Sequence, residues 1–384
     1  MKLCFVYDMI YPFSKGGAEK RFHQLASRLA GRHEVHWVGL KQWDGPSTRV
    51  TEDGVVLHGV AKPPGSIYVR DGRRSLLEPV WFGLALFQWP DIRKMDVVVC
   101  SSFPYFSIFS ARLLACLGRA RLGTTWHEFW GEYWDDYAFR VAPIGKLVER
   151  LAVKTSGTTI AVSDYTRAKL IGAGMAASSI SVVPNGVDRA AIEKVEPMPD
   201  GPDVLFVGRL IKEKRVEQLL RAMASDPVDR MGATCWVVGE GPDAGRLKGL
   251  ATSLGIDSRV SFLSSLDESE VYAAMKSAKV VVQLSEREGF GMVVLEAMAC
   301  GTPVIVSPGK NSAAPDLVSP GETGFIVPPE PQRLGQTIAA LLSSGELRRS
   351  MGSRAREKAA RYDWARIAEE AEAVYLRAAR TQAA

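Results

Sequence analysis

Cysteine is scarce in this chain of 384 residues, and none of it is paired in sequence. Cys4, Cys100, Cys116, Cys235 and Cys300 stand apart, with no C-x-x-C among them. That spacing argues against a zinc ribbon or a disulfide framework, and the cysteines read as small reduced core residues. No run of about 20 apolar residues occurs, so no membrane-spanning helix is expected. The opening M-K-L-C-F-V-Y-D meets Asp8 too early for a secretory leader and reads as a first strand. A cytoplasmic protein is therefore expected. D-x-D is absent, so a carboxylate-held Mg²⁺ or Mn²⁺ is not indicated. G-x-G-x-x-G is absent too, which counts against a dinucleotide-dependent dehydrogenase.

Charge is modest overall, with a formal net of +5, but it is uneven. Residues 1–190 hold 24 Lys/Arg against 17 Asp/Glu, while residues 191–384 hold 24 against 26. A basic first half suits an anionic acceptor or a membrane surface carrying acidic lipid. An ordinary solvated surface explains it equally well. No nucleic-acid recognition motif accompanies it.

What the chain does contain is organised around Ser285 to Val306, S-E-R-E-G-F-G-M-V-V-L-E-A-M-A-C-G-T-P-V-I-V. The β-branched run Val280 to Leu284 reads as a buried strand, Met292 to Ala299 as a helix, and Pro303 to Val306 as the next strand. Gly289 and Gly291 fall where the turn becomes the helix. The first N–H groups of a helix lack internal partners and carry partial positive charge, and glycine lets a phosphate approach them. Glu288 precedes the turn and Glu296 follows eight residues later. Carboxylates there suit sugar or ribose hydroxyls better than phosphate. The plain alternative is a solvated helix with two surface glutamates.

The E-G-F-G-x-x-x-L-E-A-M-A-x-G-x-P-V-I context, with its E-x7-E spacing, resembles the retaining glycosyltransferases of family 4. The resemblance implies a GT-B fold: α/β, two Rossmann-like domains with parallel sheets facing across a cleft, and a C-terminal helix crossing back to the N-terminal domain. Residues 1–186, joined by a helix at about 364–384, would bind acceptor. Residues 187–363 would bind the nucleotide-sugar. Glu288 would face the donor sugar, as catalyst or as binding group, and Glu296 the ribose. The N–H groups of Met292 and Val293, after Gly289-Phe290-Gly291, would hold the diphosphate.

Other stretches fit the same resemblance. Leu3 to Tyr7 is an apolar strand, a loop runs from Asp8 to Lys15, and Gly16-Gly17-Ala18-Glu19 opens a helix with Phe22, Leu25, Ala26 and Leu29 on one face. Alone, G-G-A-E is a tight turn; in the family it is the N-terminal glycine loop. Strands are expected at Val35–Leu40, Val55–Val60, Val97–Cys100, Thr159–Val162 and Val260–Leu263. Leu263 ends one that the resemblance places at the nucleotide base. Gly123 to Trp130 would present His127 at a strand's carboxyl end, where open α/β sheets bind ligands. Most single histidines are structural, but the resemblance gives His127 a place at the sugar. The F-W-G-E-Y-W-D-D-Y segment beyond it is a candidate acceptor loop. Ser163 is a candidate helix N-cap. In the family P-N-G-V-D, here Pro184 to Asp188, marks the crossing between domains. G-R-L-I-K-E-K at Gly208 to Lys214 matches the family's cationic clamp, in which Arg209 and Lys214 hold the departing diphosphate. Arg215 departs from the family, which often has glycine there. It would add a phosphate contact or only reshape the helix start. Leu341 to Ala379 reads as helical and charged. Ser75 to Trp89 is apolar almost throughout, too short to span a bilayer and interrupted by Pro79. It reads as a core helix, or as an exposed patch touching a lipid-linked acceptor.

The activity this implies is transfer of a hexosyl group, with retention, from a UDP- or GDP-linked sugar to a hydroxyl of a glycan or lipid-linked acceptor. Neither a cofactor nor a metal is called for, and peripheral contact with the inner membrane face is one expectation. An epimerase or phosphorylase on the same fold, or a catalytically silent binding subunit, are the alternatives.

Overall fold

A computed structural model describes residues 1–14, 16–65, 75, 77–264 and 266–380, without the side chains of residues 138 and 139. Lys15 at the end of the expected loop, Leu76 in the apolar stretch, and the last four residues of the expected final helix lie outside them. The chain divides into two compact units, residues 1–185 with 364–384, and residues 186–363.

The first unit is built on eight strands: β1 (Lys2–Val6), β2 (Glu34–Gly39), β3 (Thr48–Val50), β4 (Val56–Gly59), β5 (Val97–Ser101), β6 (Arg121–Trp126), β7 (Thr158–Ala161) and β8 (Ile180–Val182). They lie in the order β3-β4-β2-β1-β5-β6-β7-β8. Every neighbouring pair is parallel except β3 with β4. Parallel strands covered on both faces need apolar side chains on both sides, which explains the unbroken run Val97-Val98-Val99-Cys100. One face is covered by helices Leu77–Ala85, Phe106–Cys116 and Ala142–Thr155. The other carries helix Gly17–Ala30 and the last helix, Trp364–Arg380. Phe5 meets Phe22 at 5.2 Å and Tyr375 at 6.1 Å between ring centroids, so β1 is clamped by both helices. Glu372 ties the last helix to Arg32 (2.7 Å) and His33 (2.5 Å). The final helix therefore returns to the N-terminal sheet, as the resemblance implies.

The second unit has β9 (Val204–Val207), β10 (Cys235–Val238), β11 (Val260–Leu263), β12 (Val280–Gln283), β13 (Arg287–Glu288), β14 (Val304–Val306), β15 (Asn311–Ser312) and β16 (Gly324–Ile326). Six form a wholly parallel sheet in the order β11-β10-β9-β12-β14-β16. Val280, Val281 and Val282 are fully buried at its centre, each contributing roughly 1.5–3 kcal/mol of apolar burial. The expected strands and the helix Met292–Cys300 are present within a residue or so of the boundaries read from sequence. Ser163 caps its helix by accepting from the Thr166 N–H at 3.1 Å.

Two features differ from the expectation. β3 was not foreseen, because its three residues are all exposed and carry no apolar alternation. Leu341 to Ala379 is helical, as expected, and is divided among Pro331–Ser343, Gly345–Ala359 and Trp364–Arg380. Ser344 breaks the first junction by capping the second helix through the Leu347 N–H at 3.2 Å. Ser75 to Trp89 is neither wholly core nor wholly patch. Phe82 and Leu86 are buried, while Leu77, Trp81, Leu84 and Phe87 face outward.

Candidate functional site

In a parallel sheet the crevice for a ligand opens where two neighbouring strands send their following loops in opposite directions. In the second unit that place is between β9 and β12, because β10 and β11 run off to one side and β14 and β16 to the other. Both strands deliver the loops singled out from sequence. β9 leads into Gly208 and Arg209, and on to Lys214. β12 leads into Ser285, Glu288 and the glycine turn. Gln283, at the end of β12, is buried and donates from Nε2 to the Val207 carbonyl at 2.7 Å. That bond locks the two strand ends in register.

The loops are knitted together beyond this point. The Glu286 N–H donates to the Glu213 carbonyl at 2.8 Å. Arg215 pairs with Glu286 at 3.1 Å. The Lys214 ammonium contacts Glu288 Oε1, and Ser285 Oγ donates to the same oxygen at 3.1 Å. Glu288 is held through its backbone as well. Its strand β13 pairs with β15, and the Ala313 N–H donates to its carbonyl at 2.8 Å. The half-buried carboxylate of Glu288 is thus fixed at the crevice mouth beside a half-buried cation.

The helix Met292–Cys300 starts immediately after. Its N-cap is Gly291, at φ +101°, a left-handed conformation that an L side chain resists. A Cβ there would also press on Ala314 at 3.0 Å. No described side chain caps this helix, so the N–H groups of Met292 and Val293 stand at a partly positive end. Glu296 lies on the helix's buried side. Phe290 is buried and meets Tyr362 edge-on at 6.0 Å, so its side chain anchors the turn and only its backbone remains for a ligand. Arg209 is exposed on the β9 loop. Leu263 ends β11, two strands from β9, or about 10 Å at ordinary strand spacing. Its carbonyl already accepts from the Gly239 N–H at 2.8 Å.

Arg215 takes a left-handed conformation, φ +52° and ψ +34°, and is the one non-glycine residue with positive φ among the described residues. That conformation accounts for glycine being frequent here in the family. The guanidinium is engaged with Glu286, so the residue reshapes the helix start and ties the two loops.

The remaining sequence-derived residues belong to the first unit. Gly16 caps helix Gly17–Ala30 in extended conformation, and a Cβ on it would lie 2.4 Å from Glu19 Oε2. Glu19 is buried, which raises its carboxyl above the ordinary range, against the lowering effect of its own N–H and Ser14. A carboxylate folded over this turn repels phosphate and accepts from hydroxyls. His127 follows β6 directly. Its Nε2 is buried without a hydrogen-bond partner among the described residues. Burial, and then the Arg21 charge, push its pKa down to about 3, so the ring is neutral at ordinary pH. It can orient a hydroxyl but cannot serve as a charged acid.

The candidate acceptor loop is turned largely inward. Trp130 stacks on Phe103 at 5.2 Å, Trp134 is buried, and Glu132 and Asp135 both pair with Lys146 at 2.7 Å. Two buried residues escaped the sequence reading. Glu149 accepts from the Trp130 and Gly131 N–H groups at 2.7 and 2.8 Å and from Tyr105 Oη at 2.6 Å, fixing that loop. Arg21 donates to the Val183 and Pro184 carbonyls and to Asn185 Oδ1, at 3.0, 2.6 and 2.9 Å. It anchors the P-N-G segment where the chain leaves the first unit. Nothing but a charge on an amphipathic helix marked either one.

Comparison with known proteins matches both units. Residues 188–358 match the family described as glycosyl transferases group 1, and residues 15–191 match glycosyltransferase family 4. A GDP-mannose-dependent alpha-(1-6)-phosphatidylinositol monomannoside mannosyltransferase of Mycobacterium tuberculosis is 27% identical over 376 residues, 90% of this chain and 91% of that one. A D-inositol 3-phosphate glycosyltransferase of Corynebacterium diphtheriae is 38% identical over 178 residues, 44% of this chain and 41% of that one. Among solved structures, sucrose-phosphate synthase from Thermosynechococcus elongatus superposes with a TM-score of 0.80 at 22% identity, covering 98% of both chains. HepE from Anabaena, in complex with UDP and glucose, gives 0.74 at 22% identity, covering 97% of this chain and 98% of that one. These likenesses establish the fold.

Proposed function

The chain belongs to the family 4 glycosyltransferases, and from that premise we propose that it moves a hexosyl group from a nucleoside-diphosphate sugar to a hydroxyl of a glycan or lipid-linked acceptor, with retention at the anomeric carbon. The observation that carries this reading is the convergence at the β9–β12 crevice. Lys214, Glu288 and an uncapped helix start meet there, although 74 residues separate the first two in sequence. A departing diphosphate gains negative charge as the glycosidic bond breaks. Lys214, Arg209 and the N–H groups of Met292 and Val293 are the groups to stabilise that charge. Both bonds described for the Glu288 carboxylate fall on Oε1, which leaves Oε2 for a sugar hydroxyl. A carboxylate restrained in this way favours donor positioning over attack on the anomeric carbon. The acceptor hydroxyl would then lose its proton to the departing phosphate oxygen on the same face. Glu296 would hold the ribose and the backbone at Leu263 the base, while in the first unit neutral His127 and the Gly16-Gly17 turn offer groups suited to hydroxyls. Fixed cations and a helix start replace a divalent metal in this scheme.

The mycobacterial relative is named for GDP-mannose and the HepE structure holds UDP and glucose, so both nucleotides belong in the screen. The test is a thermal-shift panel of GDP- and UDP-sugars, followed by turnover with the stabilising donor. Free nucleoside diphosphate and an acceptor glycosylated with the donor's anomeric configuration, read by NMR, are expected. A free epimerised donor, a sugar phosphate, or no stabilisation by any nucleotide-sugar overturns the reading.

A further inference from the structure

Three helices covering one face of the first unit's sheet leave an outer surface that the transfer reaction does not use. Helix Leu77–Ala85 and the short turn Leu86–Gln88 are apolar nearly all round. A helix of that kind is ordinarily buried on every side. Here Phe82 and Leu86 fill the core, while Leu77, Trp81, Leu84 and Phe87, spaced three and four apart, face out. The next helix, Phe106–Cys116, packs beside it, with Gly83 pressed against Phe106. It exposes Leu113, and Leu117 follows at its end. The third, Ala142–Thr155, packs beside the second and exposes Ile144, Leu147 and Leu151. All three contribute to one core against the same sheet and pack in that order, so their outward stripes lie side by side.

The exposed charge carried by the three helices themselves has a single sign. Within the three helices the only carboxylates, Glu78 and Glu149, are buried. Arg112, Arg150 and Lys154 are exposed among the leucines. Arg93 and Lys94 border the layer, Lys94 being paired with Asp91. On the opposite border Lys146 pairs with both Glu132 and Asp135, and that edge stays acidic, with Asp136 exposed beside it. Exposed apolar side chains interleaved with cations, and no exposed carboxylate on the helices themselves, complement acidic headgroups above a hydrocarbon layer.

We propose that this three-helix face is a docking surface for an anionic lipid bilayer, with Trp81, Leu84, Leu113 and Leu147 entering the acyl boundary and Arg112, Arg150 and Lys154 meeting the headgroups. The first unit thereby holds the protein on the membrane whether or not donor is bound. The inference does not rest on the proposed reaction.

The test is cosedimentation of the full chain with vesicles of phosphatidylcholine alone, or of equimolar phosphatidylcholine and phosphatidylglycerol. Binding to the second and not the first, weakened by salt, is expected. Leu84, Leu113 and Leu147 are 61, 52 and 57% exposed, one on each helix. Leu84→Ser, Leu113→Ser and Leu147→Ser are each expected to weaken partitioning about tenfold. Arg112→Glu with Lys154→Glu is expected to abolish the preference for phosphatidylglycerol. The control is Val50→Ser with Met231→Ser, exposed positions on other elements, which should bind as the parent does. Thermal unfolding of every variant checks folding. No binding to the acidic vesicles, equal loss in the control, or a concentration-dependent dimer that the leucine variants break in place of vesicle binding each overturns the proposal.

Discussion

Removing the Lys214 ammonium tests the crevice most directly. An ammonium has three donors, and Glu288 Oε1 takes one. If the others face a diphosphate, Lys214→Ala removes at least one charge-assisted hydrogen bond, worth roughly 1.5–3 kcal/mol net. That corresponds to roughly ten- to hundredfold weaker binding of the free nucleoside diphosphate. The assay is titration calorimetry at constant ionic strength, because the half-buried cation is still partly screened by salt. Lys214 could instead serve only to hold Glu288, and a double-mutant cycle separates the roles. In a Glu288→Gln background the Lys214→Ala penalty for the free nucleoside diphosphate should persist, since the phosphate contact does not pass through the carboxylate. Glu288→Gln alone should cost more for the intact nucleotide-sugar than for the nucleoside diphosphate. Losing the ion pair itself should cost stability only about 1 kcal/mol, so both variants should fold. An unchanged affinity, or a penalty that vanishes in the Glu288→Gln background, refutes the clamp and with it the electrostatic half of the proposed mechanism.

Four further outcomes are expected. Glu296→Gln should weaken binding of a nucleoside diphosphate but leave inorganic pyrophosphate binding unchanged; equal loss for both by calorimetry would remove the ribose role. With its pKa lowered from 6.5 to about 3, His127 resists protonation in the folded protein but not in the unfolded chain. Stability should therefore fall as pH drops below 6.5 toward 3, by at most about 1.4 kcal/mol per pH unit from this group. Urea unfolding of His127→Gln should show a shallower acid slope, and an identical slope would contradict the neutral buried ring. EDTA should leave turnover largely intact, whereas full loss restored by Mg²⁺ would defeat the metal-free scheme. Arg215→Gly trades about 1–2 kcal/mol of left-handed strain against an exposed ion pair and glycine's entropy, and should shift stability by no more than about 1 kcal/mol. Arg215→Val should destabilise clearly in the same urea assay, and a neutral result would deny that the positive φ constrains this position.

Residue types and local geometry were readable from sequence where the signal is local. The run Val280 to Leu284, the glycines at 289 and 291 and the helix from Met292 follow from β-branching, turn chemistry and propensity over a few neighbours. The ribbon of β13 with β15 was not readable, because two-residue strands of polar side chains have no periodicity and their pairing is non-local. The outward stripe on Leu77–Ala85 was ambiguous for a related reason. Apolar periodicity tells inside from outside only when the outside is polar, and here both sides are apolar. The crevice has a third, topological cause. Lys214 and Glu288 meet because β12 inserts next to β9 after the chain has already laid down β10 and β11 on the other side. No local pattern encodes that reversal, yet it is where two loops diverge and leave room for a ligand. A swap of sheet order that preserved every local signal would keep the glycine turn and the cations and lose the site. In the proposed reaction the chemistry therefore falls at the point where spatial order departs from chain order, and the identities of its residues carry functional meaning only once that order is known.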